Sequence, residues 1–125
     1  MRLLFICVAL LVSTGHAHAQ SLCELISGAA IVAQDGTYLG RIASNYDGES
    51  VLNEYGQYGS KYSANSIWNE YGTYGGQYST NSPFNPYTNS PPIVVKGGKA
   101  IAHLTVNKML QAALNPHVLK TCTFF

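Results

Sequence analysis

Charge is scarce in this chain. Only 10% of the residues are Asp, Glu, Lys or Arg, with seven basic against six acidic. Setting Arg2 aside leaves six of each sign. No basic patch stands out, which argues against nucleic acid and anionic membrane surfaces as partners. Long apolar runs are missing too. Leu3 to Val12 is the longest, about half of the roughly twenty residues a membrane span needs, so no stable membrane insertion is expected. The repeated ten-residue alternating strands of an outer-membrane barrel are absent, although the chain ends in Phe125. There is no Gly-x-Ser-x-Gly and no phosphate-cradling loop; Lys96-Gly97-Gly98-Lys99 reads as a hairpin tip. The cysteines have no neighbouring pair of histidines, which makes a metal site poor and leaves no cofactor expected.

Arg2, the apolar run and Ala17-His18-Ala19 have the order of a signal peptide: a basic start, a short apolar core and a small-x-small cleavage site. The reading is a signal over residues 1–19 and a single domain over residues 20–125, exported to the periplasm or the cell exterior. Cys7 leaves with the signal. Cys23 and Cys122 remain, and in an exported chain they read as one disulfide, with free or metal-bound thiols as the alternative.

What is abundant is tyrosine and glycine, in register. Residues 50–65 read SVLNEYGQYGSKYSAN and residues 66–81 read SIWNEYGTYGGQYSTN, identical at ten of sixteen positions. A third copy begins at Ser82 and dissolves into prolines, and eight of the nine tyrosines lie between Tyr46 and Pro92. Glycines interrupt every run, so neither long strands nor long helices fit. Ser50, Ser66 and Ser82 suggest a capped helical turn opening each unit, closed by Gly56 and Gly72 in the left-handed conformation.

The array is bracketed by two hairpin patterns, residues 31–45 around Asp35-Gly36 and residues 93–107 around Gly97-Gly98. A two-residue turn in the first places Val32 opposite Leu39. Asn107 then caps a helix over residues 108–115, stopped by Asn115-Pro116, and the tail from Val118 onward suggests an edge strand carrying Cys122. The expected fold is α+β and β-rich: two homologous hairpins in a small antiparallel sheet, a tyrosine-glycine repeat insert of short turns over residues 46–92, and a C-terminal helix.

The units NEYGQYGSKYS and NEYGTYGGQYS, followed by SPFNPYTNSPP and preceded by DGTYLGRI, resemble a group of uncharacterised exported bacterial proteins with tandem Asn-x-Tyr-Gly-x-Tyr-Gly-Ser units. The likeness covers residues 31–107. It implies export and the repeat, and brings no site residue with it. The second unit departs from the pattern at Gly76, where serine is usual.

For chemistry, His103 and His117 are the histidines beyond the signal, and they read as a sheet residue and a loop residue. Glu54 and Glu70 occupy equivalent repeat positions, which repeat symmetry explains without a glycosidase pair. Asp47-Gly48-Glu49 is a weak calcium pattern. A binding surface is the leading reading, because tyrosine offers a rigid ring and a hydroxyl at low entropic cost. Tyr58 and Tyr74, flanked by glycines, are the candidate ligand-binding row. Candidate partners are a glycan, a peptide or an envelope polymer. The function expected is that of an exported non-enzymatic binding or structural protein; a small hydrolase or metal-dependent enzyme is the alternative.

Overall fold

The computed structural model describes residues 22–123; the expected signal over residues 1–19 lies outside them. No helix among the described residues is long and apolar enough to cross a membrane. Five strands form one sheet: β1 (Ala30–Val32), β2 (Tyr38–Arg41), β3 (Ile93–Lys96), β4 (Lys99–Leu104) and β5 (Ala113–Leu114), in the order β2-β1-β3-β4-β5. Ile31 lies opposite Val94, so β1 and β3 join the two ends of the chain across the array.

The β1–β2 turn is longer than the expected two residues. Ala33 N–H bonds the Thr37 carbonyl, Gly36 N–H bonds the Ala33 carbonyl, and only Gly36 has positive φ, at 92°. Asp-Gly serves this wider turn as readily as the two-residue one, because both need glycine in a left-handed position. Val32 therefore faces Tyr38 rather than Leu39. β3 and β4 close tightly, with Lys96 opposite Lys99.

The sheet is mixed rather than purely antiparallel, since β5 runs parallel to β4. The helix expected over residues 108–115 is not there. Asn107 Oδ1 accepts the Met109 N–H, its Nδ2 donates to the Thr88 carbonyl, and Ala112 takes φ 50°. The asparagine side chain thus closes a local turn in competition with the helix, and residues 113–114 are drawn into the sheet. The tail likewise forms a 3-10 helix over Pro116–Thr121, capped by Asn115, in place of an edge strand.

The repeat is a string of tight turns. Backbone bonds run Asn53 to Ser50, Gly56 to Asn53, Ser63 to Ser60 and Ser66 to Ser63, and the series recurs one unit later. Side chains build each turn. Ser50, Ser66 and Ser82 accept the N–H two residues on, and Asn53, Asn69 and Asn85 do the same. Each asparagine also donates from Nδ2 to a carbonyl six residues back, at 3.1 Å in all three units. One amide thus ties two turns together, and no helix forms. Gly56 and Gly72 do not take the left-handed conformation expected of them.

Val51, Ile67 and Pro83, equivalent in the three units, are fully buried. Val51 and Ile67 share one apolar cluster with Ile31, Leu39, Val94 and Leu104 of the sheet. The array is therefore the second layer that a small sheet needs. Ile26, Leu119 and the Cys23–Cys122 disulfide, with Cα atoms 5.6 Å apart, close the end of this core.

Candidate functional site

The buried row fixes which way the other positions face. Two sets of tyrosines, each recurring every sixteen residues, stand outside: Tyr46, Tyr62 and Tyr78, and Tyr55, Tyr71 and Tyr87. All six are 87% to 98% exposed. Between them in the register lie Leu52, Trp68 and Phe84, which are half-buried. Trp68 and Phe84 rings are 5.6 Å apart, and Phe84 is followed by His117 at 5.2 Å. Trp68 is anchored from below, its Nε1 donating to the Val51 carbonyl at 2.6 Å. Lys120 Nζ lies over the Trp68 ring, 4.1 Å from its centroid.

Among the described residues two larger clefts open on this face, with a third of about 420 Å³ beside the first at Tyr46 and Tyr55. One, of about 510 Å³, is lined by Tyr46, Leu52, Glu54, Trp68 and Lys120 among others. The second, of about 790 Å³, is lined by Trp68, Glu70, Tyr71, Tyr78 and Phe84 over a floor of glycines. Both volumes suit a small ligand or one unit of a polymer. Trp68 belongs to both clefts. Glu70 holds the Tyr71 phenol protonated above its usual range by hydrogen bonding.

Tyr58 and Tyr74, the row expected to bind a ligand, pack against residues of the first hairpin. Both are half-buried against the core. Tyr58 meets Tyr38 edge-on at 5.2 Å, and Tyr74 donates from its hydroxyl to Asp35 at 2.8 Å and lies 2.9 Å from the Thr37 hydroxyl. The adjacent glycines serve packing. A Cβ on Gly59 would lie 2.0 Å from the Asn53 carbonyl oxygen, and one on Gly75 2.2 Å from that of Asn69. Gly40 on β2 similarly leaves room for Tyr58, whose Cβ would be 2.6 Å from an added methyl. The glycines that suggested an approach route for a ligand are filled by the chain's own backbone.

The remaining candidates are also accounted for. Asp47 bonds the Glu49 N–H and pairs with Arg41, which together hold its carboxyl below the usual range. Glu49 accepts the Tyr38 hydroxyl; burial first, and then that bond, push the Tyr38 phenol up to about 12. Asp35 is lowered by the Thr37 N–H and then by Tyr74. His103 Nδ1 lies 2.7 Å from the Gln111 carbonyl, and the His117 ring meets Phe84 at a tilt of 59°. No group of three or more His, Cys, Asp or Glu side chains that could hold a metal occurs among the described residues.

Neither the place of Trp68 between two clefts nor the role of Lys120 was legible in the sequence. The sixteen-residue period makes positions equivalent but leaves open which of the equivalent rows turns outward. No protein-family model, curated protein or solved structure matches the chain.

Proposed function

We propose that this is an exported, non-enzymatic binding protein whose repeat face takes an extended neutral polymer. One observation carries the reading: aromatic clefts in successive repeats meet at Trp68, between rows of tyrosines that bury almost none of their surface. Exposed rings in such number cost solubility and contribute nothing to the core, whereas they suit stacking against a ligand. Export to the periplasm or cell exterior is supported by the signal pattern and by the disulfide, a bond that persists in oxidising compartments. The even charge balance speaks against nucleic acid. The two hairpins, sixty-two residues apart (Gly97 against Asp35), read as copies of one unit. Duplicated hairpins around a tandem repeat suit a scaffold that presents a surface.

The test is co-sedimentation with insoluble polysaccharides and isolated cell-wall material. The parent protein should pellet with at least one of them. Tyr71→Ala/Tyr78→Ala, which removes two exposed rings, should fold normally and stay in the supernatant. Equal pelleting of parent and variant would reject the site, and no pelleting with any polymer would reject the function.

A further inference from the structure

We infer that the two clefts are copies of one subsite, and that the ligand is a neutral β-linked pyranose chain lying along them with one sugar per sixteen-residue unit. This rests on the binding reading above and gives it a ligand class and a geometry.

The lining itself shows the duplication. Val51, Leu52, Glu54, Gly59 and Trp68 of the first cleft become Ile67, Trp68, Glu70, Gly75 and Phe84 of the second when sixteen is added to each number. Each subsite thus has a carboxylate, a glycine floor and two apolar side chains from adjacent units. Trp68 is the far wall of one and the near wall of the other.

The spacing selects the polymer. Trp68 and Phe84 are equivalent, so 5.6 Å between their rings is the advance per unit in this row. The His117 ring, from the 3-10 helix, lies 5.2 Å from that of Phe84. An extended peptide presents side chains to one face every two residues, roughly 6.6 Å. A polyproline chain repeats every three residues, roughly 9 Å. Both drift out of register within the length of the row. A β-linked pyranose chain advances by one ring and its bridging oxygen, which is close to the observed step.

The chemistry agrees. An aromatic face is the negative end of the ring quadrupole and attracts positively polarised groups. Lys120 Nζ already occupies that position over Trp68. The C–H face of a pyranose has the same polarity and takes the place of the ammonium when the long lysine side chain swings away. Glu54 and Glu70 offer acceptors to sugar hydroxyls, and Gln77 beside the second cleft adds an amide. Glu70 repels a polyanion from the second cleft, and Glu54 offsets Lys120 in the first, which leaves neutral glycans.

Calorimetric titration with glucose, N-acetylglucosamine and their β-1,4-linked oligomers of two to six units tests this. Affinity for one series should rise about two- to tenfold with each sugar until both clefts are covered, and then level off. Phe84→Ala should bring the plateau one sugar earlier, with the fold checked by Trp68 emission. The exposed Tyr71→Ala should weaken every length beyond the first subsite without disturbing the fold. Equal affinity for one and two sugars would overturn the tandem arrangement while leaving polymer binding intact. Binding of peptides and of no oligosaccharide would overturn the glycan assignment alone. Failure to bind any polymer would remove both this inference and the function it rests on.

Discussion

Replacing Gly75 with alanine tests whether the glycines beside the inner tyrosines are there for the chain's own packing. The new methyl would lie 2.2 Å from the Asn69 carbonyl oxygen and 2.7 Å from that of Ile67. Both atoms are backbone, so the turn itself must shift. Overpacking of this kind costs about 1–3 kcal/mol. The shift also strains two bonds of Asn69: the one its carbonyl accepts from Gly72 N–H at 3.0 Å, and the one its Nδ2 donates to the Ser63 carbonyl at 3.1 Å. Each contributes about 1 kcal/mol net. Against this stands up to about 1 kcal/mol gained from the reduced freedom of the unfolded chain. The net loss is about 2–4 kcal/mol. Gly72→Ala is the control, because its nearest contact is the Asn69 side-chain amide at 3.1 Å. It should stay within about 1 kcal/mol of the parent. Urea unfolding followed by Trp68 emission reads both, with the disulfide kept oxidised. At a slope of roughly 1–3 kcal/mol/M, the Gly75→Ala midpoint falls by about 0.7–4 M. Equal midpoints for the two variants would refute the steric account and return these glycines to a ligand-approach role.

Other expectations follow from the same structure. Ile67→Ala empties a fully buried position under the array and should cost about 2–5 kcal/mol by the same assay; a loss below about 1 kcal/mol would mean the array is not the second layer. Reducing Cys23–Cys122, which are 99 residues apart, should lower stability by up to about 4–5 kcal/mol, checked by urea unfolding with and without reductant. Asp35 and Asp47 sit below their ordinary value of 3.8, so what they contribute is present above that pH and fades as pH falls through their lowered values. Acid titration of unfolding in Tyr74→Phe, which loses the bond to Asp35, should show a shallower decline. Tyr38 is held protonated up to about 12. Its contribution is therefore complete below the ordinary tyrosine value near pH 10 and is lost as pH rises toward 12, which Tyr38→Phe should abolish in an alkaline unfolding series.

Much of the frame was legible in the residues and the site much less so. Two cysteines near the ends of an exported-looking chain were enough to read the disulfide, and the apolar arms around Asp35-Gly36 and Gly97-Gly98 were enough for a small β-rich α+β class. The register at Asp35-Gly36 was not, because the same dipeptide fits turns of two lengths. The helix after Asn107 failed because asparagine serves a helix cap and a closed turn equally well. Only the Thr88 carbonyl, brought near by the array, decides between them. Tyr58 and Tyr74 were nominated from flanking glycines, yet a glycine that admits a ligand and one that admits the chain's own carbonyl look alike in sequence. The distinction lies in contacts between residues six apart inside a turn, which no period reveals.

Trp68, the single tryptophan of the chain, stands at the meeting point of two equivalent clefts. Its emission during titration with a soluble β-1,4-linked hexasaccharide that the calorimeter shows to bind is the most direct test. A saturable change in intensity and a shift toward shorter wavelength are expected as sugar displaces Lys120 and water from the ring, with the same midpoint as the calorimetric curve. Emission that stays constant while the hexasaccharide binds would place the ligand elsewhere and rule out Trp68 as the shared wall of the two subsites.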